Sequence, residues 1–308
     1  MGGDTPVDRS YIVAKYLAPT IHVSLIGSLT AVTVLLRLLD GESVWFCFLF
    51  AALIAANWAQ FMRHPSFVQL SDRPENDVSR YPQRAPAECA TIRPTAADVH
   101  ERLMDPAPRY QIADGVHFCR RCAFHVPACS HHCPLCRHCI RLRDHHCFFL
   151  GACVGRDNMV YFVSFCLHAC LGCAVAAWTL GGHLHAAHLP LNTVHGAVNF
   201  LPPAAVASWV VGTVSGLAVG YLVLLYLAVT TCLGTGFMFG YHMALLASGQ
   251  VAHMWSVTPR LEVSPRAGQH CRRVFGRHGL LQLLLPLDRR PYPSLDRDDF
   301  GLEEIKVL

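Results

Sequence analysis

The chain carries its densest run of cysteine and histidine at residues 119–153, which read CRRCAFHVPACSHHCPLCRHCIRLRDHHCFFLGAC. Three pairs of cysteines in this run are separated by two residues. Structural zinc sites take four Cys or His ligands, commonly from such C-x2-C pairs. A stretch this short has too little core to fold alone, and zinc binding supplies the missing stability. The run therefore predicts a small module folded around zinc. We expect it in the cytosol, where the reducing environment disfavours disulfides between these cysteines.

The run offers more ligands than one metal needs. Two four-ligand sites can draw on six thiols and four imidazoles: Cys119, Cys122, Cys133, Cys136, Cys139, Cys153, His131, His132, His145 and His146. Spacing alone does not decide which histidines bind metal, and Cys147 stays open as a further ligand. Asp144, His145 and Cys147 are also the residue types of an activated thiol nucleophile. In such a group a histidine, oriented by a carboxylate, supplies or stabilises the reactive thiolate.

The sequence on either side of the module is apolar. Only 15% of the residues are charged and 53% are hydrophobic, whereas a soluble domain carries about 25% charged residues. Four stretches are long enough to cross a hydrocarbon layer of about 30 Å as helices: Leu17–Leu36, Ser43–Met62, Val160–Leu180 and Ala204–Thr231. Apolar sequence continues through Leu233–Leu246, so a fifth span is the alternative. The predicted fold is an all-α polytopic membrane protein of four transmembrane helices, with the zinc module between helices 2 and 3.

Basic residues predict the orientation of these helices. Thirteen arginines lie between Arg63 and Arg156, eight arginines and Lys306 follow Pro259, and none lies between Gly181 and Pro203. The positive-inside rule then places the zinc module and both termini in the cytosol. We expect a multi-pass integral membrane protein of the Golgi or endoplasmic reticulum. The net charge of +4 suits anionic lipid headgroups and is no evidence for nucleic-acid binding.

The predicted organisation has six parts. They are a cytosolic N-terminus (1–16), transmembrane helices 1 and 2 (17–62), a cytosolic connecting region (63–118), the zinc module (119–157), transmembrane helices 3 and 4 with their lumenal loop (158–239) and a cytosolic tail (240–308). Within the tail, Leu280–Leu287 is apolar but too short to span, so we expect it to lie on the membrane or pack on the module. We find no internal repeat.

The module resembles the DHHC protein S-acyltransferases, or palmitoyltransferases. The resemblance rests on the spacing C-x2-C-x9-HC-x2-C-x2-C-x4-DHHC-x5-C, which begins at Cys119 and ends at Cys153. It extends to Asn158 and Phe162, similar to the family's N-x3-F, and to the tail residues 274–276, Val-Phe-Gly. A spacing match of this length is highly specific.

The resemblance implies a role for each residue. One zinc ion would be bound by Cys119, Cys122, His132 and Cys139. The other would be bound by Cys133, Cys136, His146 and Cys153. Cys147 would be the nucleophile, with His145 as its base and Asp144 orienting that base. The implied reaction moves a fatty acyl group from acyl-CoA, such as palmitoyl-CoA, to Cys147 and then to cysteines of membrane-associated protein substrates, with the acyl chain in a cavity between the spans.

Some positions leave alternatives open. Arg141 and Arg143 can pair with the phosphates of CoA or with lipid headgroups.

Several supporting positions differ from the family: residues 148–149 are Phe-Phe where Pro-Trp is usual, residues 64–66 replace Asp-Pro-Gly, and residues 251–254 lack the family's Thr-Thr-x-Glu. These differences motivate the alternative of a weak or inactive zinc-bearing scaffold, or of an enzyme that needs an accessory protein. A nucleic-acid partner is excluded, because no basic recognition helix accompanies the zinc ligands.

Overall fold

The computed structural model describes residues 16–68, 116–127, 130–248 and 274–287. Its helices are α1 (Ala18–Leu39), α2 (Trp45–Arg63), α3 (Met159–His183), α4 (Val194–Asn199), α5 (Pro202–Val210), α6 (Gly216–Ser248) and α7 (Leu281–Leu284). Its strands are β1 (Val116–Cys119), β2 (Phe124–Pro127), β3 (Ser130–Cys133), β4 (His138–Arg141), β5 (His145–Cys147) and β6 (Ala152–Val154). The predicted Thr-Thr-x-Glu position at 251–254 lies outside the described residues.

Among the described residues, four helices are long and apolar enough to cross a membrane: α1, α2, α3 with its π-helical extension to His188, and α6. The module follows the second of these helices and precedes the third. The predicted multi-pass membrane protein, mostly helical with a module between helices 2 and 3, is confirmed.

The predicted bounds of the fourth span are wrong. The structure ends α5 at Val210 and begins a new helix at Gly216, because Gly212 takes a positive φ of 81° that breaks the helix. The Ser215 hydroxyl then accepts a hydrogen bond from the Ala218 amide at 3.2 Å and caps the new helix. At its other end α6 runs to Ser248, nine residues past the predicted boundary at 239. The apolar sequence at 233–246 thus belongs to the fourth span and forms no fifth one.

Contacts divide the chain into two compact units, and the second contains Thr20–Ala59 and Val163–Tyr241. Its interior is apolar, with Leu36, Leu180 and Ala228 almost fully buried in one cluster. One polar pair lies within it, where the Asn57 side-chain amide approaches Nδ1 of His168 at 3.2 Å. Both side chains are buried, so the hydrogen bond satisfies groups that a bilayer would not solvate.

The module belongs to the first unit and consists of three antiparallel hairpins, β1–β2, β3–β4 and β5–β6. The predicted all-α fold did not include these six short strands. The hairpins repeat every 14 residues along the chain, as the cysteines at 119, 133 and 147 show. The backbone follows the same period, since residues 123, 137 and 151 all have positive φ. The sequence therefore contains an internal repeat, contrary to our expectation.

The segment after α2 supports the second hairpin. The Val68 amide donates to the Cys139 carbonyl at 2.9 Å, and the Arg141 amide donates to the Ser66 carbonyl at 2.7 Å. The Ser66 hydroxyl accepts from the Asp157 amide at 2.8 Å. Ser66 lies in the segment that differs from the family's Asp-Pro-Gly, yet it accepts hydrogen bonds from β4 and from the loop that follows β6.

Candidate active site and zinc centres

Two groups of four metal-ligating side chains form within the module. In each group the ligand atoms lie within 4.8 Å of one another: Cys119, Cys122, His132 and Cys139 in the first, Cys133, Cys136, His146 and Cys153 in the second. Each C-x2-C pair brackets the turn of one hairpin. The histidine and the last cysteine come from the next hairpin, where they are direct cross-strand neighbours, as His132 is of Cys139. Each group therefore ties one hairpin to the next.

The distances within the groups suit zinc. His132 Nδ1 lies 3.8, 3.3 and 3.9 Å from the sulfurs of Cys119, Cys122 and Cys139. His146 Nδ1 lies 3.6, 3.3 and 3.6 Å from the sulfurs of its three cysteines. A tetrahedral zinc ion with Zn–S of about 2.3 Å and Zn–N of about 2.0 Å separates its ligands by about 3.5–3.8 Å. Each group can hold one zinc ion.

His131, His145 and Cys147 belong to neither four-residue group in the described part of the chain. Successive side chains of a strand point to opposite faces. On β5, His146 therefore faces the second zinc group while His145 and Cys147 share the other face. This alternation separates the metal ligand from the two residues of the candidate nucleophile.

Cys147 occupies, in the third hairpin, the place that Cys119 and Cys133 hold in the first two. The partner position, where those hairpins carry Cys122 and Cys136, is Leu150. Within the described residues no further hairpin follows to complete a site, because Met159 begins a helix. In the third hairpin, Cys147 therefore lacks the second cysteine of a C-x2-C pair.

Cys147 is buried, with 6% of its surface exposed. Burial raises the pKa of the Cys147 thiol, and the backbone N–H groups of Leu150 and Phe149, which donate to the sulfur, oppose this rise. Among the described residues no hydrogen bond joins the Cys147 sulfur to His145. Catalytic hydrogen bonds are often long before the substrate binds, and the shared face of β5 keeps the two side chains on one side.

Asp144 connects two imidazoles. Its Oδ2 accepts a hydrogen bond from Nδ1 of His145 at 2.7 Å and another from Nε2 of His242 at 3.1 Å. The Asp144 side chain has no exposed surface. Burial alone would raise the pKa of Asp144, but the hydrogen bonds from His145 and His242 outweigh it and hold the pKa well below its usual range. Asp144 is therefore a carboxylate.

Phe162, at the start of α3, packs against both imidazoles. Its ring centroid lies 5.3 Å from that of His145 and 4.9 Å from that of His242, with interplanar angles of 73° and 70°. Asn158, one turn earlier, accepts from the Gly155 amide at 2.8 Å and donates to the Cys153 carbonyl at 3.0 Å. The two residues of the N-x3-F pattern thus fix the rings and the third hairpin.

The two arginines predicted to bind CoA lie in different surroundings. Arg141 Nη2 pairs with Asp157 at 2.7 Å. The Arg143 Nε is buried and has no hydrogen-bond partner among the described residues. Neither environment decides whether these arginines bind CoA phosphates or lipid headgroups, so CoA binding by Arg141 and Arg143 stays a prediction.

Phe148 and Phe149, directly after Cys147, are exposed by 50% and 59%. They form an apolar surface beside the candidate nucleophile. Separately, the second unit contains a largely apolar cavity among the transmembrane helices, lined by residues that include Ile26, Phe50 and Phe165. The residues that line it also include four threonines, at positions 30, 33, 231 and 235.

Sequence reasoning missed His242. It lies within the 33-residue apolar helix α6 and is 2% exposed, but the predicted boundary at 239 assigned it to the tail. An ionisable residue in an otherwise apolar span is a functional candidate, and that signal would have singled it out had the span been extended.

The family model described as DHHC palmitoyltransferase matches residues 112–256. The chain is 31% identical over 173 residues to human palmitoyltransferase ZDHHC22, covering 56% of this chain and 59% of that protein. It is 30% identical over 208 residues to mouse palmitoyltransferase ZDHHC22, covering 67% and 69%. It is 33% identical over 182 residues to the mouse probable palmitoyltransferase ZDHHC24, covering 57% of each.

Proposed function

Because the chain belongs to the DHHC palmitoyltransferase family, we propose that it is a protein S-acyltransferase that works through Cys147. It transfers a fatty acyl group, such as palmitoyl, from acyl-CoA to cysteine thiols of membrane-associated proteins. The observation that carries this proposal is the hydrogen bond from His145 to the buried carboxylate of Asp144, next to a cysteine outside both metal groups.

In the first step the Cys147 sulfur attacks the thioester carbonyl of acyl-CoA while His145 takes the thiol proton. The new carbon–sulfur bond replaces the bond to CoA, and the CoA thiolate leaves with the proton from His145. In the second step a substrate thiol gives its proton to His145 and attacks the acyl-Cys147 thioester. Cys147 leaves and regains a proton. Thioesters are exchanged at both steps, so each is nearly isoenergetic.

Asp144 supports both steps through His145. Its carboxylate accepts the Nδ1–H, which leaves the Nε2 lone pair as the proton acceptor. The carboxylate also stabilises the imidazolium that forms after proton transfer. The backbone N–H groups directed at the Cys147 sulfur stabilise its thiolate as it forms and as it leaves.

The zinc ions would be structural. We assign the first to Cys119, Cys122, His132 and Cys139, and the second to Cys133, Cys136, His146 and Cys153. When bound, they link the three hairpins and so fix the backbone that carries Cys147. They take no part in proton transfer.

The connection between the module and α3 also supports a catalytic site close to the membrane. Residues 155–158 join β6 to α3 and reach at most about 14 Å, so the third hairpin stays close to the bilayer. The exposed Phe148 and Phe149 suit contact with an acyl chain or with lipid.

We further propose that the module and both termini are cytosolic, that the protein resides in the Golgi or endoplasmic reticulum, and that an accessory protein stabilises it. The arginine distribution supports the orientation. Tags at each terminus should be cleaved by protease added to sealed vesicles. Protection of either tag would contradict the proposed orientation.

The function is tested by incubating purified protein with labelled palmitoyl-CoA. We expect one label per chain, released by neutral hydroxylamine and absent from Cys147→Ser. Cys166→Ser is the matched control, a buried cysteine outside the site, and should label like the wild type. No label on a folded protein with two zinc ions would contradict the proposal and favour the scaffold.

A further inference from the structure

The carboxylate of Asp144 has a second partner from a distant part of the chain. His242 Nε2 lies 3.1 Å from Asp144 Oδ2, and the two residues are separated by 98 positions. The same oxygen accepts from His145. The side chains of Asp144 and His242 are 0% and 3% exposed. One oxygen atom, closed off from solvent, therefore receives two imidazole donors.

The hydrogen-bond roles follow from the carboxylate. An ionised carboxylate only accepts, so both imidazole nitrogens that face it carry hydrogen. His145 is thereby held with its hydrogen on Nδ1, and His242 with its hydrogen on Nε2. The His145 side chain is 36% exposed, so its ring reaches the surface on which substrates arrive.

A second donor matters because His145 changes its charge during the reaction. A buried carboxylate depends on its hydrogen-bond donors, and an unsatisfied buried charge is costly. His242 satisfies Asp144 whether His145 is neutral or protonated. Phe162 contacts both rings edge-on, which restricts the two imidazoles to the orientations that share one oxygen.

We propose that His242 is a positioning residue for acyl transfer: it fixes the Asp144 carboxylate, and through it the tautomer and orientation of His145. This inference rests on the proposed acyltransferase function. It gives α6 a direct part in the site, since the last two turns of that helix supply a hydrogen bond to Asp144.

A matched pair of variants separates this role from packing. His242→Gln keeps an N–H donor near the position of Nε2, and His242→Met has the same length without a donor. At saturating palmitoyl-CoA we expect His242→Met to form the acyl-enzyme about 10- to 100-fold more slowly, the loss expected of a hydrogen bond to a buried charge. His242→Gln should stay within about threefold of the wild type, because a hydrogen bond of about the same strength remains.

Two further readouts distinguish positioning from structure. The palmitoyl-CoA concentration at half-maximal rate should not change, since His242 fixes the base and does not bind substrate. Alkylation of Cys147 by iodoacetamide, without acyl-CoA, should slow in His242→Met and recover in His242→Gln. Both variants should retain two zinc ions. If His242→Met loses zinc, His242→Phe serves as the variant without a donor, since it keeps a ring beside Phe162.

The inference is overturned if the variants without a donor react as fast as the wild type, or if His242→Gln is as slow as His242→Met. Failure of the wild type to form an acyl-enzyme would instead contradict the proposed function. The alkylation rates would then still test the contact between His242 and Asp144, because they need no acyl-CoA.

Discussion

Replacing Asp144 by asparagine should slow acyl-enzyme formation without unfolding the module. The side chain is buried and accepts hydrogen bonds from His145 at 2.7 Å and His242 at 3.1 Å. Asparagine has nearly the same shape, but only one oxygen and no charge. Its oxygen can take the position of Oδ2 and accept from both imidazoles, but only as a neutral acceptor, while its amino group replaces the other oxygen. It also cannot stabilise the imidazolium on His145.

The magnitude follows from these contacts. A hydrogen bond to a charged group contributes about 1.5–3 kcal/mol, against about 0.5–1.5 kcal/mol for a neutral one. Unit charges about 4 Å apart attract by about 4 kcal/mol at an effective dielectric constant of 20. Losses of about 1.5 to 4 kcal/mol correspond to rates that are about 10- to 10³-fold lower.

The assay is single-turnover labelling by palmitoyl-CoA, with zinc content measured on the same sample. Asp157→Asn is the matched control, because Asp157 pairs with Arg141 in a partly exposed salt bridge and does not touch His145. Such bridges contribute about 0–1 kcal/mol, so its rate should change by less than about fivefold. An Asp144→Asn rate within threefold of the wild type, with two zinc ions bound, would refute the role of Asp144.

The other predictions concern the module and its cysteines. Gly155→Ala should lower the stability by about 1–3 kcal/mol, because the added Cβ would lie 2.8 Å from the Arg141 carbonyl oxygen; an unchanged thermal midpoint would contradict this contact. Cys153→Ser should purify with one zinc ion in place of two, and a variant with two would contradict the ligand assignment. Iodoacetamide labelling of Cys147 should speed up steadily from pH 7 to 9, since burial raises the thiol pKa and the reactive thiolate grows as pH rises; a plateau below pH 8 would be inconsistent. In Leu150→Cys, mild oxidation should close a disulfide between the restored C-x2-C pair, so iodoacetamide should no longer label Cys147 until dithiothreitol is added. Labelling that is insensitive to oxidation would contradict the equivalence of the third hairpin with the first two.

The spacing of cysteines and histidines predicted the module well because metal ligands impose strict distances on a short chain. The placement of Cys119 and His132 in one group follows the family pattern, and the structure brings them together. The first three spans were also readable, since their apolar runs end at charged or polar residues. The assignments of individual ligands and of the nucleophile remain proposals.

The features that sequence reasoning missed depend on local signals that hydropathy averages out. The start of α6 is set by Gly212 and Ser215, two small residues inside an apolar run. The hairpins of the module have strands of three or four residues, too short for an alternating pattern. His242 meets Asp144 only through tertiary structure, and no local spacing relates positions 98 residues apart.

A pulse-chase experiment is the most direct test of the covalent two-step transfer through Cys147. Labelled acyl-enzyme would be freed of palmitoyl-CoA and mixed with a membrane-anchored peptide that carries one cysteine. We expect label to leave Cys147 and to appear on the peptide at the same rate, with none transferred by Cys147→Ser. A peptide that is acylated only while palmitoyl-CoA is present, with the label on Cys147 unchanged, would contradict it.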